Sequence, residues 1–265
     1  VSVGNRQPGV AVAATVAGGM FPYEVLRAGA QALGITLDEK QIEQFEHYAR
    51  RLYEANQRMN LTAIPPEEVV TRHFLDSLTL VSAWEPFAGA QVLDVGTGAG
   101  LPGLPLKLAF PQIHLALLDS RHAPVQFMHT LCEELELEHI TLMHARAEEA
   151  GKQARWREQF DVVTARAVAH LWVLAEWTLP FVRVGGMAIW LKRPTQRAEV
   201  EQAREQIQRL GGAEPEVIQT AVPHSDIVNL LVRVQKVVPT PPQYPRATAR
   251  VLREARRFKS PAEDD

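Results

Sequence analysis

The sequence contains little cysteine and no long apolar run. Cys132 is its only cysteine in 265 residues, which excludes an intramolecular disulfide framework and a cysteine-based zinc site within one chain. No apolar stretch approaches the length of a membrane span, and the histidines lack metal-ligand spacing, so we expect neither a membrane anchor nor a metal. Residues 1–20 are interpreted as a disordered leader, and a cytoplasmic protein is expected.

A strong net charge is also lacking, because 28 basic side chains oppose 31 acidic ones and leave a net charge of −3. The basic residues are nevertheless segregated along the chain. Residues 183–197 carry four and no acid, and residues 243–260 carry six against one acid. Such clusters favour a phosphate-rich partner, although a basic tail is more often a solvated chain end.

The apolar pattern changes its period once along the chain. Helical spacing covers residues 22–34, 38–59 and 66–84, whereas strand and helix patterns alternate from residue 91. This alternation predicts a parallel α/β sheet covered on both faces. The last two strand patterns are separated by too short a link to be parallel, so they must form an antiparallel hairpin. The predicted order is leader, helical cap, α/β domain and released basic tail, over residues 1–20, 21–86, 87–238 and 239–265.

The stretch VLDVGTGAGLPG, residues 92–103, places four glycines within eight positions after a strand pattern. Glycine permits positive φ and close backbone approach, so the loop is interpreted as a cradle for a ligand. A helix pattern follows, and a helix N-terminus favours a polar or anionic group. In open α/β sheets, ligands bind at the carboxyl ends of the strands, where this loop is placed.

Three interpretations of the loop remain open from the residues alone. Gly98, Gly100 and Gly103 match the dinucleotide fingerprint, so an NAD-dependent oxidoreductase is one of them. Asp94 can face a ligand ammonium, and this acid together with the C-terminal hairpin favours a methyltransferase that uses S-adenosylmethionine. Asp119 ends the second strand and can accept hydrogen bonds from the ribose of either cofactor. The third interpretation is a nucleoside-binding RNA module without catalysis.

Several motifs occur together and in order, and they are followed by QYPR near the C-terminus. They are NLTAI at 60–64, RHFLDSL at 72–78, LDVGTGAGLPGLPL at 93–106, LLDS at 117–120, RAEE at 146–149 and ARAVAHL at 165–171. In these motifs the chain resembles the bacterial 16S ribosomal RNA guanine-N7 methyltransferase G family, also called glucose-inhibited division protein B. The resemblance runs from about residue 22 to 246. It implies a class I methyltransferase fold, S-adenosylmethionine as cofactor and small-subunit ribosomal RNA as substrate.

Carried over by position, the resemblance also implies a set of site residues. The cofactor residues carried over are Gly96, Leu101, Asp119, Ser120, Arg121, Ala147, Glu148 and Arg166. Asp94 and Gly98 join this set from the residues themselves, because the acid and the glycine loop can hold the methionine end of the cofactor. Arg166 and Lys192 would hold cofactor and guanine in line as catalytic residues. From the two basic segments, and not from the resemblance, phosphate contacts are expected at Lys192, Arg193, Arg197 and Arg246. For Glu148, a solvated acid at a helix start remains the alternative.

The chain departs from the family pattern at two places. After LLDS come Arg121 and His122 and then Ala123 and Pro124, where the family usually has a Lys-Arg pair. Arg193 follows Lys192 where the family commonly has glycine. Both departures concern the expected RNA contacts and leave the cofactor residues unchanged.

The expected chemistry needs no base. Guanine N7 carries an in-plane lone pair, so transfer requires only aligned reactants. A cytosine-C5 enzyme would need a cysteine thiolate, but Cys132 lies within a helix pattern and is interpreted as a core residue. His73 and Asp76 share a helix face and are expected to join the cap to the sheet, with a catalytic pair as the alternative. We expect a monomer.

The tryptophans of the α/β region lie in core-like patterns. Trp172, Trp177 and Trp190 are therefore interpreted as packing residues. One of them at the mouth of the site could instead stack on a base.

Overall fold

The computed structural model describes residues 21–258, so the interpretation of residues 1–20 as a leader lies outside the described residues. The N-terminal part is helical, with α1 at Tyr23–Ala32 and α2 at Glu39–Met59. The predicted helix over 66–84 is irregular. It passes from a 3-10 turn through a π-helical segment and the short α3 to a second 3-10 turn, over Pro66–Glu68, Val70–Leu75, Asp76–Leu78 and Thr79–Ser82.

Within the described residues, seven strands form one sheet in the order β3-β2-β1-β4-β5-β7-β6. The strands are β1 (Gln91–Val95), β2 (His114–Asp119), β3 (Ile140–His144), β4 (Phe160–Arg166), β5 (Val182–Lys192), β6 (Glu216–Ala221) and β7 (Val228–Gln235). The helices between and after them are α4 (Gly103–Ala109), α5 (His122–Glu134), α6 (Ala147–Ala150), α7 (Leu171–Thr178), α8 (Ala198–Arg209) and α9 (Thr248–Ala255).

The strand pairing confirms the predicted sheet. Pairs β1–β2, β2–β3, β1–β4 and β4–β5 are parallel, whereas β7 is antiparallel to both β5 and β6. The order reverses between β1 and β4, since β2 lies on one side of β1 and β4 on the other. Ligands of open α/β sheets bind at such a reversal, so the glycine loop after β1 stands where a ligand is expected.

The helical cap and the sheet share one apolar core. Helix α2 begins with a capping box at Asp38 and buries Ile42, Phe45 and Leu52 in the same cluster as residues of α4 and α5. The Tyr48 hydroxyl donates a hydrogen bond to the Ala99 carbonyl at 2.7 Å. The cap therefore supports the glycine loop through helix α2.

The C-terminal segment differs from the prediction of a tail released at residue 239. Arg246 pairs with the fully buried carboxylate of Glu176 on α7, at 2.6 Å, and Val251 of α9 packs on Trp172 and Val173. Burial of this apolar face and neutralisation of a buried acid bind residues 239–258 to the domain. These contacts do not fit a tail released at residue 239, and residues 259–265 lie outside the described part of the chain.

Candidate active site

The loop after β1 is held open by hydrogen bonds from its own backbone. The Gly98 amide donates to the Asp119 carboxylate at 2.9 Å, and the Gly103 amide donates to Asp94 at 2.9 Å. Gly98 has a φ of 56°, and a Cβ added there would meet nothing closer than 3.8 Å. The backbone conformation thus favours glycine, and the loop surface at Gly98 has room for a ligand.

Asp94 is fully buried beneath this loop. One carboxylate oxygen accepts hydrogen bonds from the Thr97 hydroxyl and the Gly103 amide, at 2.6 and 2.9 Å. The other oxygen, Oδ1, is shielded from solvent and has no partner in the region from 21 to 258. Burial raises the pKa of Asp94 to about 6, against the lowering effect of those hydrogen bonds. An unpaired buried carboxylate oxygen fits a ligand that brings a cationic donor.

A cleft of about 400 Å³ opens beside the loop, and we call it the loop cleft. It collects residues from the ends of β1 to β4 and from two later helices. These residues are Val95, Gly96, Leu118, Asp119, Ser120, Ala145, Arg146, Ala147, Glu148, Val168, Trp177 and Thr248. Five residues of the predicted cofactor set, Gly96, Asp119, Ser120, Ala147 and Glu148, are therefore brought together in one place.

Asp119 is the acidic centre of the loop cleft, and its side chain is 5% exposed. Its carboxylate accepts hydrogen bonds from the amides of Gly98 and Arg121, both at 2.9 Å. The Arg121 side chain reaches the same carboxylate only at 3.4 Å and is largely exposed, so a ligand hydroxyl can displace it. Because a carboxylate accepts about four hydrogen bonds, Asp119 fits the ribose of a nucleoside cofactor.

A second cleft, of about 620 Å³, lies beyond the end of β4, and we call it the arginine cleft. Its lining comes from the irregular helical segment, from the ends of β4 and β5, and from β7. The residues are Ile64, Arg72, His73, Asp76, Arg166, Ala167, Leu191, Lys192, Arg193, Gln196 and Asn229. Three predicted residues, Arg166, Lys192 and Arg193, thus lie together, and they lie apart from the residues around Asp119.

A buried carboxylate organises the arginine cleft. The Asp76 side chain is 1% exposed and accepts hydrogen bonds from Arg166 at 2.6 Å and from Asn229 at 3.1 Å. Arg193 approaches the same carboxylate at 3.1 Å and also donates to the Asn229 side chain. Asp76 therefore joins the cap to β4 as expected, and it does so through Arg166.

His73 and Lys192 are both held by protein partners. The His73 ring lies 2.7 Å from the Thr62 hydroxyl, and burial together with the Arg166 charge lowers the pKa of His73 to about 3. His73 is therefore neutral throughout the neutral pH range. The Lys192 ammonium donates to Glu199 and to the Ala169 carbonyl, each at 2.7 Å, and its side chain is 4% exposed. A phosphate contact does not fit this burial, which corrects the prediction that Lys192 binds RNA.

Asp94, Gly98 and the remaining predicted residues lie outside both clefts. Leu101 is buried in the core that joins the cap to the sheet, and Arg121 lies on the surface near Gly98. Arg197 is exposed at the start of α8. Arg246 is 12% exposed and paired with Glu176. Its guanidinium is occupied by this ion pair, so the predicted phosphate contact does not fit its position.

Sequence reasoning missed several cleft residues and interpreted Trp177 as a packing residue. Asn229 and Thr248 come from a strand and a helix far along the chain, where no local pattern marks them. Trp172 and Trp190 are buried packing residues, as expected, whereas Trp177 lines the loop cleft. Cys132 is buried in the core, and burial raises the pKa of its thiol to about 12, so it is not a nucleophile.

The sheet order, the antiparallel β7 and the glycine loop after β1 define a class I methyltransferase fold. A crystal structure of a SAM-dependent O-methyltransferase from Thermotoga maritima aligns with a TM-score of 0.52 at 14% identity, over 73% of this chain and 72% of that chain. This likeness supports the fold alone. The family model for rRNA small subunit methyltransferase G matches residues 41–228, and the chain belongs to that family.

Curated relatives agree with this assignment. Ribosomal RNA small subunit methyltransferase G of Caldanaerobacter subterraneus subsp. tengcongensis is 46% identical over 84% of this chain and 93% of its own length. The protein of the same name from Clostridium tetani is 37% identical over 88% of this chain and 98% of its own. The predicted family, enzyme class and S-adenosylmethionine cofactor are confirmed, and neither the oxidoreductase nor the non-catalytic module is favoured.

No helix between residues 21 and 258 is long and apolar enough to cross a membrane. The same region contains no group of three or more His, Cys, Asp or Glu side chains that could hold a metal ion.

Proposed function

We propose that the protein methylates guanine N7 of small-subunit ribosomal RNA, using S-adenosylmethionine bound in the loop cleft and a guanine bound in the arginine cleft. The observation that carries this proposal is the position of the two clefts. Arg166 and Ala167 line one of them, and the next residue, Val168, lines the other. A methyl donor and an acceptor base bound in the two clefts would therefore meet at the end of β4.

Each part of the loop cleft has a proposed task. S-adenosylmethionine supplies an electrophilic methyl group on a sulfonium. Asp94 and Gly98 flank the lining residues Val95 and Gly96 on the chain and do not line the loop cleft themselves. They would hold the amino acid end, because the unpaired Asp94 Oδ1 needs a donor. Asp119 would accept from the ribose hydroxyls, and the backbone at Ala147 and Glu148 would border the adenine.

The arginine cleft would orient the base without removing a proton. Arg166 is fixed by Asp76 and presents guanidinium donors to a cleft that suits the acceptor-rich edge of guanine. Lys192 would act as a positioning residue, since it fastens the chain at Ala169, two residues beyond Ala167. With a pKa of about 3, His73 is a poor proton acceptor near neutral pH, which agrees with attack by an N7 lone pair that needs no base.

The RNA surface would be formed by arginines that the fold leaves exposed. Arg193 is 42% exposed at the mouth of the arginine cleft, and Arg197 is exposed nearby on the chain. Helix α9 and the turn after it present four more, at 250, 253, 256 and 257. This distribution supports a phosphate-bearing partner despite the net charge of −3. We also propose that the enzyme is a monomer and acts in the cytoplasm.

The proposal is tested by transfer of a labelled methyl group from S-adenosylmethionine to small ribosomal subunits or their RNA. We expect transfer by the unmodified protein and a strong loss with Asp119→Ala, whose affinity for S-adenosylhomocysteine should fall by about 1–3 kcal/mol. NAD should not raise the melting temperature, whereas S-adenosylhomocysteine should. The proposal would be contradicted if no label were transferred to the RNA, or if Asp119→Ala left the affinity for S-adenosylhomocysteine unchanged.

A further inference from the structure

Two side chains on the outer wall of the loop cleft each keep a polar atom without a partner. They are Trp177 on α7 and Thr248, the first residue of α9, and both line the cleft. Trp177 Nε1 and Thr248 Oγ1 are shielded from solvent and have no hydrogen-bond partner in the described chain. Buried polar groups are almost always paired in folded proteins, so two unpaired groups in one cleft point to a ligand that pairs them.

The wall that carries these two groups is fixed by an ion pair. Arg246, two residues before Thr248, binds the carboxylate of Glu176, the neighbour of Trp177, through three of its nitrogen atoms. Val251 anchors α9 on α7 through the apolar cluster around Trp172. The C-terminal segment therefore keeps Thr248 and Trp177 in the wall of the same cleft, and a prearranged wall lowers the entropic cost of binding.

The two groups have complementary hydrogen-bonding properties. An indole N–H can only donate, whereas a hydroxyl can donate and accept. The edge of adenine offers the matching pair, a ring nitrogen that accepts next to a 6-amino group that donates. Ala147 and Glu148 line the same cleft and border the adenine in the proposed cofactor position.

We propose that Trp177 and Thr248 recognise the adenine edge of the cofactor, with Trp177 Nε1 donating to a ring nitrogen and Thr248 Oγ1 accepting from the 6-amino group. The inference rests on the proposed placement of S-adenosylmethionine in the loop cleft. It gives the C-terminal segment a second task, because the segment that carries the exposed arginines also completes the cofactor site.

Trp172 provides a matched control on the same helix. Its Nε1 is also buried and unpaired, but it packs against Val173 and Val251 and does not line the loop cleft. Both Trp172→Phe and Trp177→Phe remove one indole N–H from α7. A difference between these two variants therefore reports on the cleft and not on the loss of an indole N–H from the helix.

The experiment is calorimetry of the full chain with S-adenosylhomocysteine and with its analogue that has hydrogen in place of the 6-amino group. We expect Trp177→Phe and Thr248→Val each to weaken S-adenosylhomocysteine binding by about two- to twelvefold. Trp172→Phe and Thr248→Ser should bind within twofold of the unmodified protein. For the analogue, Thr248→Val should cause no further loss, because the group that Thr248 accepts from is already absent.

Melting temperatures of the ligand-free variants show whether each one is folded. Equal weakening of both ligands by Thr248→Val would mean that Thr248 acts only through structure, and this would overturn the inference. Affinities unchanged by Trp177→Phe and Thr248→Val would also overturn it. If Asp119→Ala still weakens binding in that case, the proposed function stands. The proposed function itself would fail if the unmodified protein did not bind S-adenosylhomocysteine.

Discussion

Replacing Asp76 by alanine should destabilise the protein and disable methyl transfer while leaving the cofactor site intact. The Asp76 carboxylate is buried and accepts from Arg166 at 2.6 Å and from Asn229 at 3.1 Å. Its removal leaves the Arg166 guanidinium, 15% exposed, without its carboxylate. Removing one partner of a buried ion pair costs about 3–5 kcal/mol.

We expect the lower end of that range, about 3 kcal/mol, because the Arg166 guanidinium can hydrate through the arginine cleft. In a domain of this size each kcal/mol lowers the melting temperature by about 2–4 °C, so a decrease of roughly 6–12 °C is expected. Methyl transfer should fall about a hundredfold, as expected when a positioning group moves by about an ångström. S-adenosylhomocysteine affinity should stay within about threefold, because Asp76 does not line the loop cleft.

Thermal unfolding by circular dichroism, calorimetry and single-turnover transfer measure these three effects separately. The control is Asp76→Leu combined with Arg166→Met, which removes the two buried charges and leaves only the half-exposed Arg193 unpaired. It should regain part of the lost stability without regaining transfer. A melting temperature and a transfer rate both unchanged in Asp76→Ala would refute the reasoning. Full transfer by the double variant would show that Arg166 is not needed for chemistry.

Three further predictions concern pH and the C-terminal segment. Asp94 has a pKa of about 6 and loses its negative charge as the pH falls through that value, so S-adenosylhomocysteine affinity should fall below pH 6 and Asp94→Asn should abolish this dependence. Single-turnover transfer should be nearly flat from about pH 6.5 to 8.5, and a unit slope of log rate against pH would mean that a base is required. Arg246→Ala should destabilise the protein by about 3–5 kcal/mol, because the buried Glu176 loses its cationic partner and keeps neutral donors such as the Gln206 amide. The salt slope of RNA binding should not change in that variant, whereas Arg250→Ala should flatten it by about 0.7–0.9.

The sequence predicted the sheet and the glycine loop because both depend on local patterns. A strand buried on both faces reads as an apolar run, and the loop at Gly98 requires a conformation that glycine adopts readily. The position of Asp119 beside the loop was predictable because it ends a strand next to the loop, and the carboxyl ends of parallel strands share one edge.

The arginine cleft and the C-terminal wall depend on contacts between distant positions. Asn229 reaches Asp76 across 153 residues, and Arg246 pairs with Glu176 across 70. A basic residue in a basic segment carries no local sign of such a buried partner, so Arg246 resembled the exposed arginines around it. The irregular helix at 70–75 was likewise read as regular, because its apolar spacing differs little from that of an α-helix.

The most direct test of the proposed activity is the identity of the modified nucleoside. Small ribosomal subunits that lack the modification would be incubated with labelled S-adenosylmethionine and the protein, and the RNA then digested and cleaved at N7-methylated guanines. The proposal predicts that the label is found in 7-methylguanosine and that cleavage occurs at a single position of the small-subunit RNA. Label in any other nucleoside, or in the RNA of the large subunit, would contradict it.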